Sequence, residues 1–388
     1  MNPLAAVFLL GPALLAAPVR GSIDLADRSE IRAGSFGLPT DPSVNVETVP
    51  SITLSLATRS SGLVLNYAPR LAFSDLQLGW NGSYLHQGSA EAAWQADRGV
   101  RVAVSEYASY GTLNYSSLQF PSSGAPGAVR VDPFLRRIIT YEGSATALTL
   151  GIAPGRVWAL RFTLAYALSG AAHEVDRDVL PLYRGPRFET AFEYAILRST
   201  RSVTRANVEK ATVSTGQDYL FLGGTTGINQ RLGVMTDAEV TVGATEVRSE
   251  LPAFSTVRYD TYGTVEAALF QRLPYRYRFD LELRGILAPA VNRVTGLVSQ
   301  QAQVLLRSRF RQHPWGGAFE GGFADAVHDE PGAMKIVSGQ LTVAYFLTRW
   351  IDVELGGRLA WQKIVGGDPI LQKVGFVGLT LREPTLRF

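Results

Sequence analysis

A period of two residues runs through almost the whole chain, in segments longer than an ordinary globular sheet uses. Leu160, Phe162, Leu164, Tyr166 and Leu168 alternate with Arg161, Thr163, Ala165 and Ala167. Phe188, Phe192, Tyr194 and Ile196 alternate with Glu189, Ala191, Glu193 and Ala195, and Val240 and Val242 stand against Glu239 and Thr241. Phe279, Leu281 and Leu283 alternate with Arg278, Asp280, Glu282 and Arg284. Ile351, Val353, Leu355 and Leu359 stand against Asp352, Glu354, Gly356 and Arg358. A strand sends successive side chains to opposite faces, so each segment has one apolar and one polar face. No stretch carries the 3.6-residue stripe of an amphipathic helix, and the fold class expected is all-β.

Two architectures suit this pattern: a soluble sandwich or propeller, and a transmembrane barrel with its apolar face to lipid. Sandwich strands run ~5–6 residues, whereas a tilted membrane-spanning strand needs ~9–11. Here the alternation runs from Arg156 to Ser169 and from Tyr275 to Ala288, which fits the barrel. Aromatics such as Trp158, Tyr166, Trp350 and Trp361 sit near segment ends, as in the girdles of outer-membrane barrels. The chain ends in Phe388, but Arg382 and Pro384 break the alternation, so the last strand is expected to stop near Glu383 and leave a short tail.

Composition narrows the function. Of 388 residues 46% are apolar and 18% charged, which excludes a disordered chain. The net charge of +3 gives no basic excess for nucleic acid. With no Cys there is no disulfide framework, thiol nucleophile or thiolate metal site. Residues 1–22 read as a secretory signal peptide, an apolar run broken by Gly11 and Pro12 and followed by small residues, and residues 23–388 as the barrel.

Short and long connections alternate along the chain. Short turns are expected at 59–62, 97–99, 153–156, 198–201, 231–233, 273–275, 312–314 and 348–349, long loops at 112–133, 170–185, 249–255, 289–295, 326–332 and 365–368. In an outer-membrane barrel the short turns face the periplasm. Counting from Thr48 gives an odd number of strands, so a further strand is expected near Asp27 to Phe36, although RSEIRAGSF alternates weakly. The total becomes about eighteen, a size that leaves an aqueous channel.

In that arrangement Arg161, Glu189, Glu193, Glu239, Glu266, Arg278, Asp280, Glu282, Arg284, Asp352, Glu354 and Arg358 line the lumen. Charges of both signs suit hydrophilic solutes such as sugars better than a single-sign ion filter. The expected periplasmic rim carries Arg59, Arg98, Arg156, Arg198, Arg201, Arg231, Arg272, Arg276, Arg311 and Arg349. Guanidinium groups there would snorkel to lipid phosphates; a positive mouth that receives an anionic polymer or docks a partner is the sharper alternative.

Catalytic motifs are not found. The four His are dispersed, with His313 on the opposite side from His173 and His328, and there is no G-x-S-x-G or H-E-x-x-H. Ser83 and Ser89 lie an odd number of residues from His86 and so face the other way. Glu174, Asp176 and Asp178 are interrupted by Arg177 and lack the EF-hand glycine, so they read as solvated loop charges. No enzyme activity, metal or cofactor is expected.

Several stretches resemble the myxobacterial outer-membrane barrels of polysaccharide export, the Wzp-type family. They are GLVLNYAPRL (62–71), YGTLNY (110–115), LPLYRGPRFETAFEYAILRST (180–200), TGLVSQQAQV (295–304), LTRWIDVELGGRLAWQK (347–363) and the closing GFVGLTL. The resemblance implies an eighteen-stranded exit for a secreted polysaccharide. It also implies a periplasmic export protein of the OPX class as partner, downstream of a Wzx/Wzy assembly system. Outer-membrane lipid and the barrel assembly machinery are the other partners expected. A general diffusion porin or uptake channel, and a structural or adhesive barrel plugged by the loop 112–133, are the alternatives.

Overall fold

The computed structural model describes residues 19–35, 43–74, 81–114, 138–178, 180–251, 256–273, 278–291, 297–327, 334–364, 369–383 and 385–387. The expected signal sequence up to residue 18, Arg276, His328, Phe388 and most of the loop 112–133 lie outside them. The strands are β1 (Arg20–Ser35), β2 (Ser43–Ala57), β3 (Ser61–Tyr67), β4 (Arg70–Ser74), β5 (Asn81–Asp97), β6 (Val100–Asn114) and β7 (Ile138–Ile152). They continue with β8 (Trp158–Ala171), β9 (Tyr183–Leu197), β10 (Thr200–Val213), β11 (Asp218–Gly233), β12 (Thr236–Leu251), β13 (Thr256–Leu273) and β14 (Arg278–Val291). The last are β15 (Val298–Gln312), β16 (Trp315–Ala326), β17 (Met334–Phe346), β18 (Ile351–Ile364), β19 (Ile370–Arg382) and β20 (Leu386–Arg387).

Apart from β3 with β4 and β19 with β20, strands consecutive in sequence pair antiparallel, and β1 pairs with β19, closing the sheet on itself. Two interruptions reduce these segments to an eighteen-stranded barrel. At Ala68–Pro69 the ladder breaks where proline has no N–H to give, but the register of β4 on β2 and β5 continues that of β3. At the other end, Leu386 and Arg387 pair with Ile23 and Ser22. The tail expected after Glu383 is therefore a resumed strand that completes the seam.

β1 takes in Arg20, Gly21 and Ser22, ahead of the expected barrel start at residue 23, because these residues pair with Ala57, Leu56 and Ser55 of β2. Connections of two to five residues occupy one end of the barrel, and the longest, 115–137 and 172–182, lie at the other, which also carries two four-residue connections, 214–217 and 252–255. Two-residue turns such as 98–99 and 313–314 close tight hairpins, while a 3-10 turn at Glu174–Asp176 sits in one of the long loops.

The outer wall is apolar and exposed. Leu164, Leu341, Leu355, Leu359 and Val377 each leave more than half of their surface uncovered. A continuous apolar exterior of this kind is stable only against hydrocarbon. The ladders pair most of the backbone polar groups between neighbouring strands, which is what lipid requires of a spanning structure.

One part of the wall departs from a simple cylinder. The β13–β14 ladder runs only from Leu273 opposite Phe279 to Val265 opposite Leu287, although β14 and β15 remain paired up to Val291 opposite Val298. Above Val265 the end of the β14–β15 hairpin leans inward across β13. Val291 and Val298 pack on Ala211, Val213, Tyr219, Phe221 and Val247, inner-face residues of β10 to β12. The Tyr262 hydroxyl donates to the Val298 carbonyl (3.1 Å), and Gln300 Nε2 donates to the Gly263 carbonyl (2.7 Å). The long-loop end of the lumen is narrowed by an apolar collar on this side.

Candidate functional site: the inner wall of the barrel

The parity of each strand places one set of residues on the inside, and the ladders decide which of them meet. All twelve expected lumen residues fall on the inner face. Glu193 accepts from Arg161 (3.3 Å) and Arg201 (3.2 Å), and Glu189 pairs with Arg187 (2.7 Å). Arg205 bonds Glu239 and lies 3.5 Å from Glu266, which in turn takes Arg284 at 2.6 Å. Asn229 adds a bond to Glu239 (3.1 Å). Nearer the short turns Asp280 meets Arg272 (3.3 Å) and Arg278 (3.6 Å), while Arg307 bridges Glu282 (3.8 Å) and Glu320 (3.5 Å).

A second network crosses the seam. Glu30 on β1 meets Arg28 (2.6 Å) and Arg32 (2.7 Å), Glu47 on β2 meets Arg32 (2.9 Å) and Arg70 (2.8 Å), and Arg28 reaches Glu354 on β18 (2.9 Å). Asp352, almost fully buried, pairs with Arg382, and Arg358 lies on the same face of β18 as Glu354. Arg28, Glu30, Arg32, Glu47 and Arg70 were not among the sequence candidates. Their signal was present as charges at every second position, 28, 30 and 32, but the apolar half of the pattern is weak there. Arg187, Arg205, Arg307 and Glu320 were missed likewise, since only the register shows that they complete pairs.

The result is a hydrated, charge-compensated surface. In a wet lumen each such pair contributes little to stability, ~0.2–1 kcal/mol, so its role is to present alternating donors and acceptors.

The expected rim divides in two. Arg59, Arg98, Arg156, Arg198 and Arg349 lie exposed in the short turns. Arg201, Arg231, Arg272 and Arg311 lie at strand ends on the inner face. Arg201 and Arg272 join the pairs above, Arg231 meets Asp237 (3.6 Å), and Arg311 stacks on the Phe346 ring (4.6 Å). Arg349 stacks on Trp350 (4.4 Å). His86 faces outward, 2.5 Å from the Tyr67 hydroxyl and edge-on to Tyr84, away from Ser83 and Ser89.

A closed barrel with an apolar exterior and a polar, ion-paired interior defines the class: an outer-membrane β-barrel channel. The particular family follows from its sequence. The model of the EpsX exopolysaccharide export family matches residues 21–368, and the chain belongs to that family. Comparison with curated proteins returns no match. Among solved structures, the outer membrane protein OpdK of Pseudomonas aeruginosa is similar at 11% identity and a TM-score of 0.45, over 94% of this chain and 99% of that one. OccK9 (OpdG) of the same organism gives 11% identity and 0.47 over 94% and 98%. The FrpB iron transporter of Neisseria meningitidis gives 9% and 0.49 over 91% and 64%.

Proposed function

We propose that this barrel is the outer-membrane exit for a secreted polysaccharide, conducting it outward without chemical change. The observation that carries the reading is the inner face itself. Paired charges of both signs offer hydrogen bonds to a hydroxyl-rich chain without a fixed field that would trap it or favour one ion. Family membership supports export as the direction of transport.

The polymer is handed over by a periplasmic protein of the OPX class fed by a Wzx/Wzy system, as the resemblance to the Wzp-type myxobacterial barrels suggests. The exposed arginines of the short turns then lie where the barrel meets lipid phosphates and such a partner, and the barrel assembly machinery inserts the chain.

Clean deletion of the gene tests the reading. Loss of one surface or secreted glycan, restored by complementation, is the expected result. Unchanged glycans in a strain lacking other such barrels would overturn it and favour a passive porin.

A further inference from the structure

We propose that the inner wall carries a binding subsite for one uncharged sugar unit, centred on Thr241 and Thr264. The inference rests on the export reading and adds to it where the polymer is held and which units are held best.

A cavity of about 220 Å³ lies between the wall of β9 to β13 and the inward-leaning end of β14, from Ala288 to Val291. It is smaller than the ~300–1,000 Å³ of pockets for drug-sized ligands and suits a single ring. Thr241 and Thr264 both line it. The Oγ1 atoms of these two residues are buried, and each lacks a hydrogen-bond partner among the described residues; Thr241 is only 1% exposed. They sit on adjacent strands, Thr241 opposite Glu266 and Thr264 opposite Gly243. Buried hydroxyls without partners are costly, and a ligand hydroxyl that reaches them removes that cost.

The electrostatics select the ligand. The two guanidinium groups that line the cavity are already committed, Arg187 to Glu189 and Arg205 to Glu239. Glu209 adds a further carboxylate, held by the Tyr183 hydroxyl. A uronate or other acidic unit would meet carboxylates with no unengaged guanidinium facing it. A neutral pyranose instead finds acceptors on the glutamates and two hydroxyls without a partner among the described residues. Its C–H face can rest on Phe221 and Ile286, apolar members of the same lining.

The test is current blockade in planar bilayers with the purified full-length barrel, using maltohexaose as the neutral probe and an oligogalacturonate of equal length as the acidic one. Maltohexaose should interrupt the current with a measurable residence time, and the acidic oligomer should do so more briefly. The double variant Thr241→Val, Thr264→Val should shorten the maltohexaose residence about tenfold, the loss of two modest hydrogen bonds. Thr241→Ser alone, which keeps the hydroxyl, should retain it. If the double variant does not insert, Thr264→Val is read in its place and should give part of the effect. Unchanged residence in the valine variants, or equal residence of the acidic oligomer, would overturn the subsite. Neither result bears on export, which stands or falls on the glycans of the deletion strain.

Discussion

Leu164 and Thr163 are neighbours in sequence that face different solvents, and much of the molecule follows from such pairs. Leu164 stands opposite Phe188 on the lipid side, and Thr163 opposite Glu189 on the water side. Leu164→Arg should therefore destabilise the folded barrel by ~2–4 kcal/mol, as a charge near the middle of the hydrocarbon does, whereas Thr163→Arg should change stability by a small fraction of that. Denaturant unfolding in lipid vesicles measures both. Burial makes Asp352 the sharper case among the ion pairs: Asp352→Ala removes the carboxylate that meets Arg382 beside the seam, with an expected loss of ~1–3 kcal/mol. Which side a residue faces was legible in the sequence, because parity is a local property. Which residue it meets was not: Arg70 and Glu47 pair across strands, and only the register joins them.

At the scale of elements, legibility depended on how cleanly the lipid face is written. β8, β9 and β18 alternate strongly and were readable. β1 was not, because its outward positions include Asp27 and Ser29. There the carboxylate of Asp27 accepts from the hydroxyls of Thr48 (2.9 Å) and Ser29 (3.3 Å), so a polar side chain is satisfied on a face that hydropathy expects to be apolar. The odd strand count drew attention to β1 where its own pattern did not. The inward lean of the β14–β15 hairpin left no mark in the alternation, since it depends on where a ladder stops and on a collar assembled from β10 to β12. Val247, fully buried in that collar, provides the test. Val247→Asn places an amide in an apolar cluster at a cost of ~1–3 kcal/mol. It should loosen the hairpin and raise single-channel conductance; an unchanged conductance with intact folding would show that the collar does not limit flow.

At the scale of the whole molecule, compensation of charge along the inner wall fixes the expected transport behaviour. In a salt gradient the reversal potential should stay near zero, with cation and anion permeabilities within a few-fold of each other; a strong preference for either sign would contradict a wall of paired charges. The closed sheet, its polar interior and its size were all readable from period, strand length and connection parity. From Thr256 to Thr264, among the described residues, β13 makes no ladder with β14, and hydrocarbon does not tolerate unpaired backbone amides and carbonyls. The paired stretch below, Val265 to Leu273, is about nine residues, close to the ~9–11 needed to cross. The fork between these two strands thus acts as a depth gauge: the oily layer must finish beneath it, and on this flank the barrel has no slack to ride higher or lower in the membrane.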